Sequence, residues 1–384
     1  MKHVYDLVWP IVLSIVLLVA AAWIAYPETR FPPGFGIFPP LFVAAPTGFK
    51  PIIFVVLALI EFAIVLLLLF PQWFGFTMTT SPPRTDPARF PVWFWSGAAL
   101  TLSFWWLMWK RATPFGGLAY YAFTPLWWGF ILTLDGLVYR RSGGYSLLAS
   151  RPGTVLISAA VSLAGWCYFE YLNYFALGNW YYPNSTMPEF SHSAVVLIYL
   201  LAYTTVWPAV FEWYTLLNTF PSLVCRYSRG PRIALPGGLL LWGGFFLLFA
   251  MVFFPYPLFW AVWIGPLAIF SGQLIRKRIW SPFTALAQGN WSPALLMALS
   301  ALFNGFFWEI WNWGSAYPAQ PVTNPNYWKY AIPYVDAIHI FAEMPLLGYM
   351  GYMPFGILAW ALFIWLGALF GFDAALLKDD ADRR

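Results

Sequence analysis

From Val12 to Phe370 the chain is a succession of apolar runs, among them VLSIVLLVAAAWIA (12–25), IIFVVLALIEFAIVLLLLF (52–70) and GILAWALFIWLGALF (356–370). About 20 apolar residues in helical form span the hydrocarbon layer of a bilayer, where each backbone polar group must be satisfied within its own segment. Runs of that length, repeated from end to end, leave few alternatives to a polytopic helical membrane protein. The alternating short strands of a membrane barrel are absent from the pattern. Composition agrees: 61% of residues are hydrophobic and 9% are charged, far outside the range of soluble domains.

The expected fold is all-α, with ten transmembrane helices at about 8–26, 51–71, 90–109, 115–138, 153–177, 193–218, 233–254, 257–275, 293–314 and 345–371. The first run follows Lys2 but lacks a small-x-small cleavage site before Pro27, so it reads as a retained span. With a cytoplasmic N-terminus, fifteen of the twenty lysines and arginines fall on the inner side, and five (Arg30, Lys50, Lys110, Arg111, Lys329) on the outer. That bias places both termini in the cytoplasm and the protein in the cytoplasmic (inner) membrane. The basic clusters flank apolar runs, so they set topology and do not bind nucleic acid. The stretch 333–344 is an extra outer piece, interfacial or re-entrant, and 372–384 is a polar cytoplasmic tail.

The chain repeats itself. WCYFEYLN (166–173) and FFWEIWN (306–312) each carry Glu and Asn three residues apart: Glu170 with Asn173, and Glu309 with Asn312. Trp180 and Tyr182 follow the first, Trp328 and Tyr330 the second; then come His192 and His339. Next, Tyr203 and Pro208 align with Tyr349 and Pro354. We expect two parallel four-helix repeats, 90–218 and 233–371, after a two-span N-terminal extension, 1–89, with an axis along the membrane normal.

Glu and Asn at i, i+3 share one helix face. Two such faces offer Glu170, Asn173, Glu309 and Asn312 to a common interior opening to the outer side, with Glu212 four residues beyond Pro208. An intramembrane acid is expensive and by default functional. One role is proton donor or relay, with the asparagines orienting the acids. The other is interhelical glue. Trp180, Tyr182, Tyr203, Trp328, Tyr330 and Tyr349 would wall a site for a flat apolar ligand, as would clusters such as SFWWLMW (103–109). His192 and His339, one per repeat, are of the type that ligates a haem or tetrapyrrole, or else anchors at the interface. Cys167 and Cys225 give neither a disulfide framework nor metal spacing, so no metal site is expected, and no nucleotide, serine-hydrolase or zincin motif is present.

Paired repeats, intramembrane acids, W-x-Y after the first acid and a proline near the second are similar in style to integral-membrane carotenoid cyclases of the lycopene cyclase type. Those families carry a proline followed by paired acids. PAVFE (208–212) and AEMP (342–345) are the nearest stretches here and lack the pair. The resemblance implies acid chemistry on an isoprenoid.

Three functions fit: an enzyme doing acid/base chemistry on a lipid-soluble isoprenoid, carotenoid, quinone or lipid; a non-catalytic subunit of a larger, pigment-bearing membrane complex; and a proton-coupled transporter. The expected partners are the bilayer, an apolar ligand and, in the second case, other membrane subunits.

Overall fold

The computed structural model describes residues 2–377 apart from 42, 43, 46, 84, 111, 112, 317–323 and 341. Most of the expected tail (378–384), with Arg84 and Arg111 of the charge count, lies outside the described residues. The helices are α1 (Lys2–Ala25), α2 (Pro51–Leu69), α3 (Val92–Lys110), α4 (Phe123–Arg141), α5 (Leu147–Ser150), α6 (Pro152–Phe175), α7 (His192–Tyr203), α8 (Val206–Asn218), α9 (Pro221–Arg226), α10 (Gly237–Phe253), α11 (Ala261–Arg276), α12 (Pro282–Ala287), α13 (Ser292–Ala316) and α14 (Tyr352–Phe370). Two short strands, β1 (Trp180–Tyr181) and β2 (Lys329–Tyr330), are the described sheet.

Helix occupies every stretch where a span was expected, and six segments are long and apolar enough to cross a membrane. They are Asp6–Ala25, Pro51–Leu69, Pro152–Phe175, His192–Asn218, Ser292–Ala316 and Leu346–Phe370; α10 and α11 are apolar but shorter.

One expected span, 193–218, is broken between α7 and α8. The break is satisfied by Ser162 of α6, fully buried, whose hydroxyl accepts the Val206 and Trp207 N–H groups, each at 3.1 Å, and donates to the Tyr203 carbonyl. Pro208 thereby falls in the first turn of α8, where a missing N–H leaves no intrahelical bond unmade. The stretch 115–138 likewise begins as a 3-10 turn, Thr113–Tyr121, before α4.

Two helix pairs pack backbone to backbone. A Cβ on Gly97 of α3 would lie 2.7 Å from the Gly129 carbonyl of α4, and one on Gly244 of α10 would lie 2.6 Å from the Gly265 carbonyl of α11. Close approach through small residues is how helices associate where lipid removes the hydrophobic drive.

The expected N-terminal extension divides. α1 packs within the bundle: Asp6 pairs with Lys277 at 2.5 Å, Trp9 meets Trp242 and Phe245, and Ser14 accepts from Tyr168 at 3.0 Å. α2 has no buried residue. Its Phe54 and Leu57 rest on Ile332, Val335 and Met344 of the non-helical stretch that follows β2. That stretch is where the extra piece at 333–344 was expected, and it turns through left-handed Tyr334 and Ile338. The centre of the molecule is aromatic, with Trp127, Trp207, Trp311, Trp360 and Trp365 fully buried.

A candidate ligand cavity between two carboxylate clusters

α6 delivers Glu170 and Asn173 to the interior, at 2% and 0% exposure. Asn173 clamps the chain that returns from the helix. Its amide donates to the Trp180 carbonyl at 2.9 Å, and its oxygen accepts the Asn179 N–H at 2.8 Å. That fixes β1 above the helix, and the side chains leaving β1 then drop onto Glu170. Its carboxyl accepts from Tyr182 Oη at 2.5 Å, Trp180 Nε1 at 3.1 Å, Trp166 Nε1 at 3.0 Å and Tyr203 Oη at 3.1 Å. A carboxyl taken out of water needs such donors, and hydrogen bonds to a charged acceptor are the strong ones.

α13 does the same with Glu309 and Asn312, both fully buried. The Asn312 amide donates to the Trp328 carbonyl at 2.8 Å and accepts the Trp328 N–H at 3.0 Å. Glu309 Oε1 accepts from Tyr330 Oη at 2.7 Å and Tyr352 Oη at 2.5 Å. Trp328 Nε1 donates to the Tyr330 hydroxyl at 2.8 Å.

The clusters differ at one helical turn. Where α6 has Trp166, four residues before its acid, α13 has Gly305. A Cβ at Gly305 would sit 2.3 Å from the Tyr352 ring, so the absent side chain is what admits Tyr352 to Glu309.

β1 and β2 pair antiparallel between the clusters, Trp180 opposite Tyr330 and Tyr181 opposite Lys329. The Ala331 N–H extends the contact to the Asn179 carbonyl at 2.9 Å. Beneath the ladder lies a cavity of about 440 Å³ that borders both clusters. Tyr182, Tyr203, Tyr330 and Tyr352 line it, among the rings of Trp166, Trp180, Trp263, Trp308, Trp328 and Phe355. Trp180 stacks on Trp263 at 5.3 Å. Leu57, Ile60, Glu61 and Ile64 of α2 form its outer wall. A concave, mainly apolar volume with a few convergent polar groups is the usual form of a small-molecule site. Glu170 and Glu309 stand behind the wall; of the polar residues in the lining, Tyr182, Tyr203, Tyr330 and Tyr352 are bonded to them, beside Glu61, Asn179, Thr205 and Asn326.

Of the residues singled out in the sequence, Trp180, Tyr182, Tyr203, Trp328 and Tyr330 line the cavity, and Glu170, Asn173, Glu309 and Asn312 build its support. Tyr349 does not line it; Tyr352, three residues on in the same YMGYMP stretch, reaches the acid. Glu212 is elsewhere, facing Asp135 of α4, whose carboxyl accepts from Trp93, Ser146 and the Leu148 N–H at 2.8 Å each. His192 is the exposed first residue of α7, and His339 pairs with Asp336 on the surface at 2.8 Å. Neither histidine lines the cavity. Among the described residues no group of three or more His, Cys, Asp or Glu could hold a metal ion.

Trp166, Tyr199, Trp263, Trp308 and Phe355 were not singled out. Only Trp166 carried a legible signal, lying one turn before Glu170 on the same face. Beyond the helix ends, Tyr327 donates to Glu343 at 2.5 Å, and burial first, then that carboxylate, holds its phenol well above the ordinary range.

No protein-family model, curated protein or solved structure matches the chain. The likeness to carotenoid cyclases therefore rests on the quoted residues alone.

Proposed function

We propose that this protein is an integral membrane enzyme that holds a lipid-soluble substrate, of isoprenoid, carotenoid, quinone or lipid type, in the cavity beneath β1 and β2. There it carries out acid/base chemistry through tyrosine hydroxyls backed by Glu170 and Glu309. The observation that carries this reading is an aromatic cavity bordered by four tyrosines, each donating to a buried glutamate. A proton leaving such a hydroxyl for the cavity is replaced from the carboxyl behind it, and one arriving is passed back. Glu170 already accepts from two indoles and two phenols, which suits a fixed carboxylate; Glu309, bonded to two phenols through one oxygen, is the better placed proton reserve.

The proposal includes the two parallel four-helix repeats, 90–218 and 233–371. Matching clusters support them, as do the glycine contacts of α3 with α4 and α10 with α11. The ladder register supports them too: if Trp180 corresponds to Trp328, then Tyr181 and Lys329 correspond and face each other, as residues astride a two-fold axis do. The proposal further takes ten spans and, from the charge bias, clusters that lie toward the outer side of an inner membrane.

The test begins with protein purified gently from its own membrane. Its visible spectrum and the mass spectrum of what co-purifies name a substrate, whose turnover is then compared in wild type, Glu309→Gln and Glu170→Gln. The expectation is a loss of at least about tenfold for Glu309→Gln. Undiminished turnover in both variants would sink the chemical assignment. A second reading, a non-catalytic subunit of a larger complex, is favoured by α2, which has no buried residue along its 19 residues. Stoichiometric partner subunits in the same preparation would support it.

A further inference from the structure

Glu61 is the one ionisable residue of α2, eleven residues into a 19-residue apolar helix. Its helix neighbours Leu59 and Phe62 are exposed at 62% and 58%, as expected of a lipid-facing surface, and neither lines the cavity. Glu61 itself is turned from that surface: it is half-buried and lines the cavity with Leu57, Ile60 and Ile64. No hydrogen bond or ion pair to Glu61 is found among the described residues, in contrast to Glu170 and Glu309, which are held by two to four donors each. An acidic side chain at the centre of a spanning helix is costly to insert. Such a residue calls for a partner, and the cavity that it lines can hold one.

Resting on the enzyme reading above, we propose that Glu61 anchors the polar head of the cavity's ligand, and that this ligand is a long-chain amphiphile whose head donates a hydrogen bond, an amine or an alcohol. The apolar body lies against Trp180, Trp263 and Trp308, and the head meets the Glu61 carboxyl at the α2 wall. A carboxyl accepts from a hydroxyl or an ammonium and disfavours a second carboxylate. The selectivity therefore runs against fatty acids and pure hydrocarbons. The loose seating of α2, with no buried residue, makes that wall the side from which a membrane-dissolved molecule enters.

The experiment uses the full-length protein in detergent and three probes of equal length brominated at mid-chain: octadecylamine, octadecanol and octadecanoic acid. Bromine quenches the cavity tryptophans on contact. In wild type, the amine and the alcohol are expected to quench saturably with affinities at least about tenfold above that of the acid, a difference of about 1.4 kcal/mol. Glu61→Leu should abolish the preference while leaving some binding by the chain alone. Glu61→Gln should keep the alcohol and lose the advantage of the amine. Equal affinities for all three heads in wild type, or a preference untouched in Glu61→Leu, would overturn the anchor role. The cavity is checked separately by Ile264→Trp, which fills it from α11. If that variant binds all probes as wild type does, the cavity reading itself fails; if it blocks them, only the role of Glu61 is at issue.

Discussion

Trp180 and Tyr330 face each other across a two-residue antiparallel ladder, and each donates a hydrogen bond to the buried glutamate of the helix that precedes its strand. The two carboxylate clusters are thus fixed to one pair of backbones, and neither can shift without the other.

That pairing predicts a cross-link. Opposed residues of an antiparallel pair have Cα atoms about 4.5–5.5 Å apart, within the range of a disulfide. Tyr181→Cys with Lys329→Cys, in a background lacking Cys167 and Cys225, should form a disulfide under mild oxidation and leave ligand binding intact. Cysteines that stay reduced would show that the ladder is not formed in the membrane.

The two acids should differ in their structural weight. Glu170→Leu orphans two indole and two phenol donors, and at ~1 kcal/mol for each buried donor left unsatisfied the loss is about 4 kcal/mol or more. Glu309→Leu removes the acceptor of Tyr330 and Tyr352, whose hydroxyls already lie 3.3 Å apart and can bond to each other. Thermal unfolding in detergent should place Glu170→Leu well below Glu309→Leu. The reverse order would refute the donor count as the source of stability.

Gly305→Ala should act on Glu309 without touching it. The new Cβ meets the Tyr352 ring at 2.3 Å, so the ring has to leave or the helices part, at about 1–3 kcal/mol. Turnover is expected to fall with stability, and Tyr352→Phe, which removes only the hydroxyl, should reproduce the loss of turnover with a smaller loss of stability.

The stretch from Tyr327 to Glu343 should loosen in alkali. Tyr327, outside the spans, has its phenol raised by burial and by Glu343, so the fold favours the protonated form. Its contribution is present below the unfolded value near 10 and is lost as the pH climbs from there toward the folded value. The drop in thermal midpoint between about pH 8 and about pH 11 should be smaller in Tyr327→Phe than in wild type. An equal drop would mean that Tyr327 does not contribute to it.

The sequence by itself determined that the chain is helical, because apolar runs of spanning length leave the backbone no other way to satisfy its polar groups. It also marked out polar residues that the structure buries. Glu170, Asn173, Glu309 and Asn312 stand out because each is costly among so many apolar neighbours, and their three-residue spacing put each pair on one face. What it could not decide was where that face points and what comes to meet it. Tyr352 rather than Tyr349 reaches Glu309 because a glycine forty-seven residues earlier makes room for its ring, a contact with no trace in local spacing. Glu212 lies in a similar apolar run, yet it faces Asp135 and does not line the cavity. Uniformly apolar helices have no periodic stripe to fix their rotation. That rotation is set by packing between distant segments, and only the tertiary structure decides it.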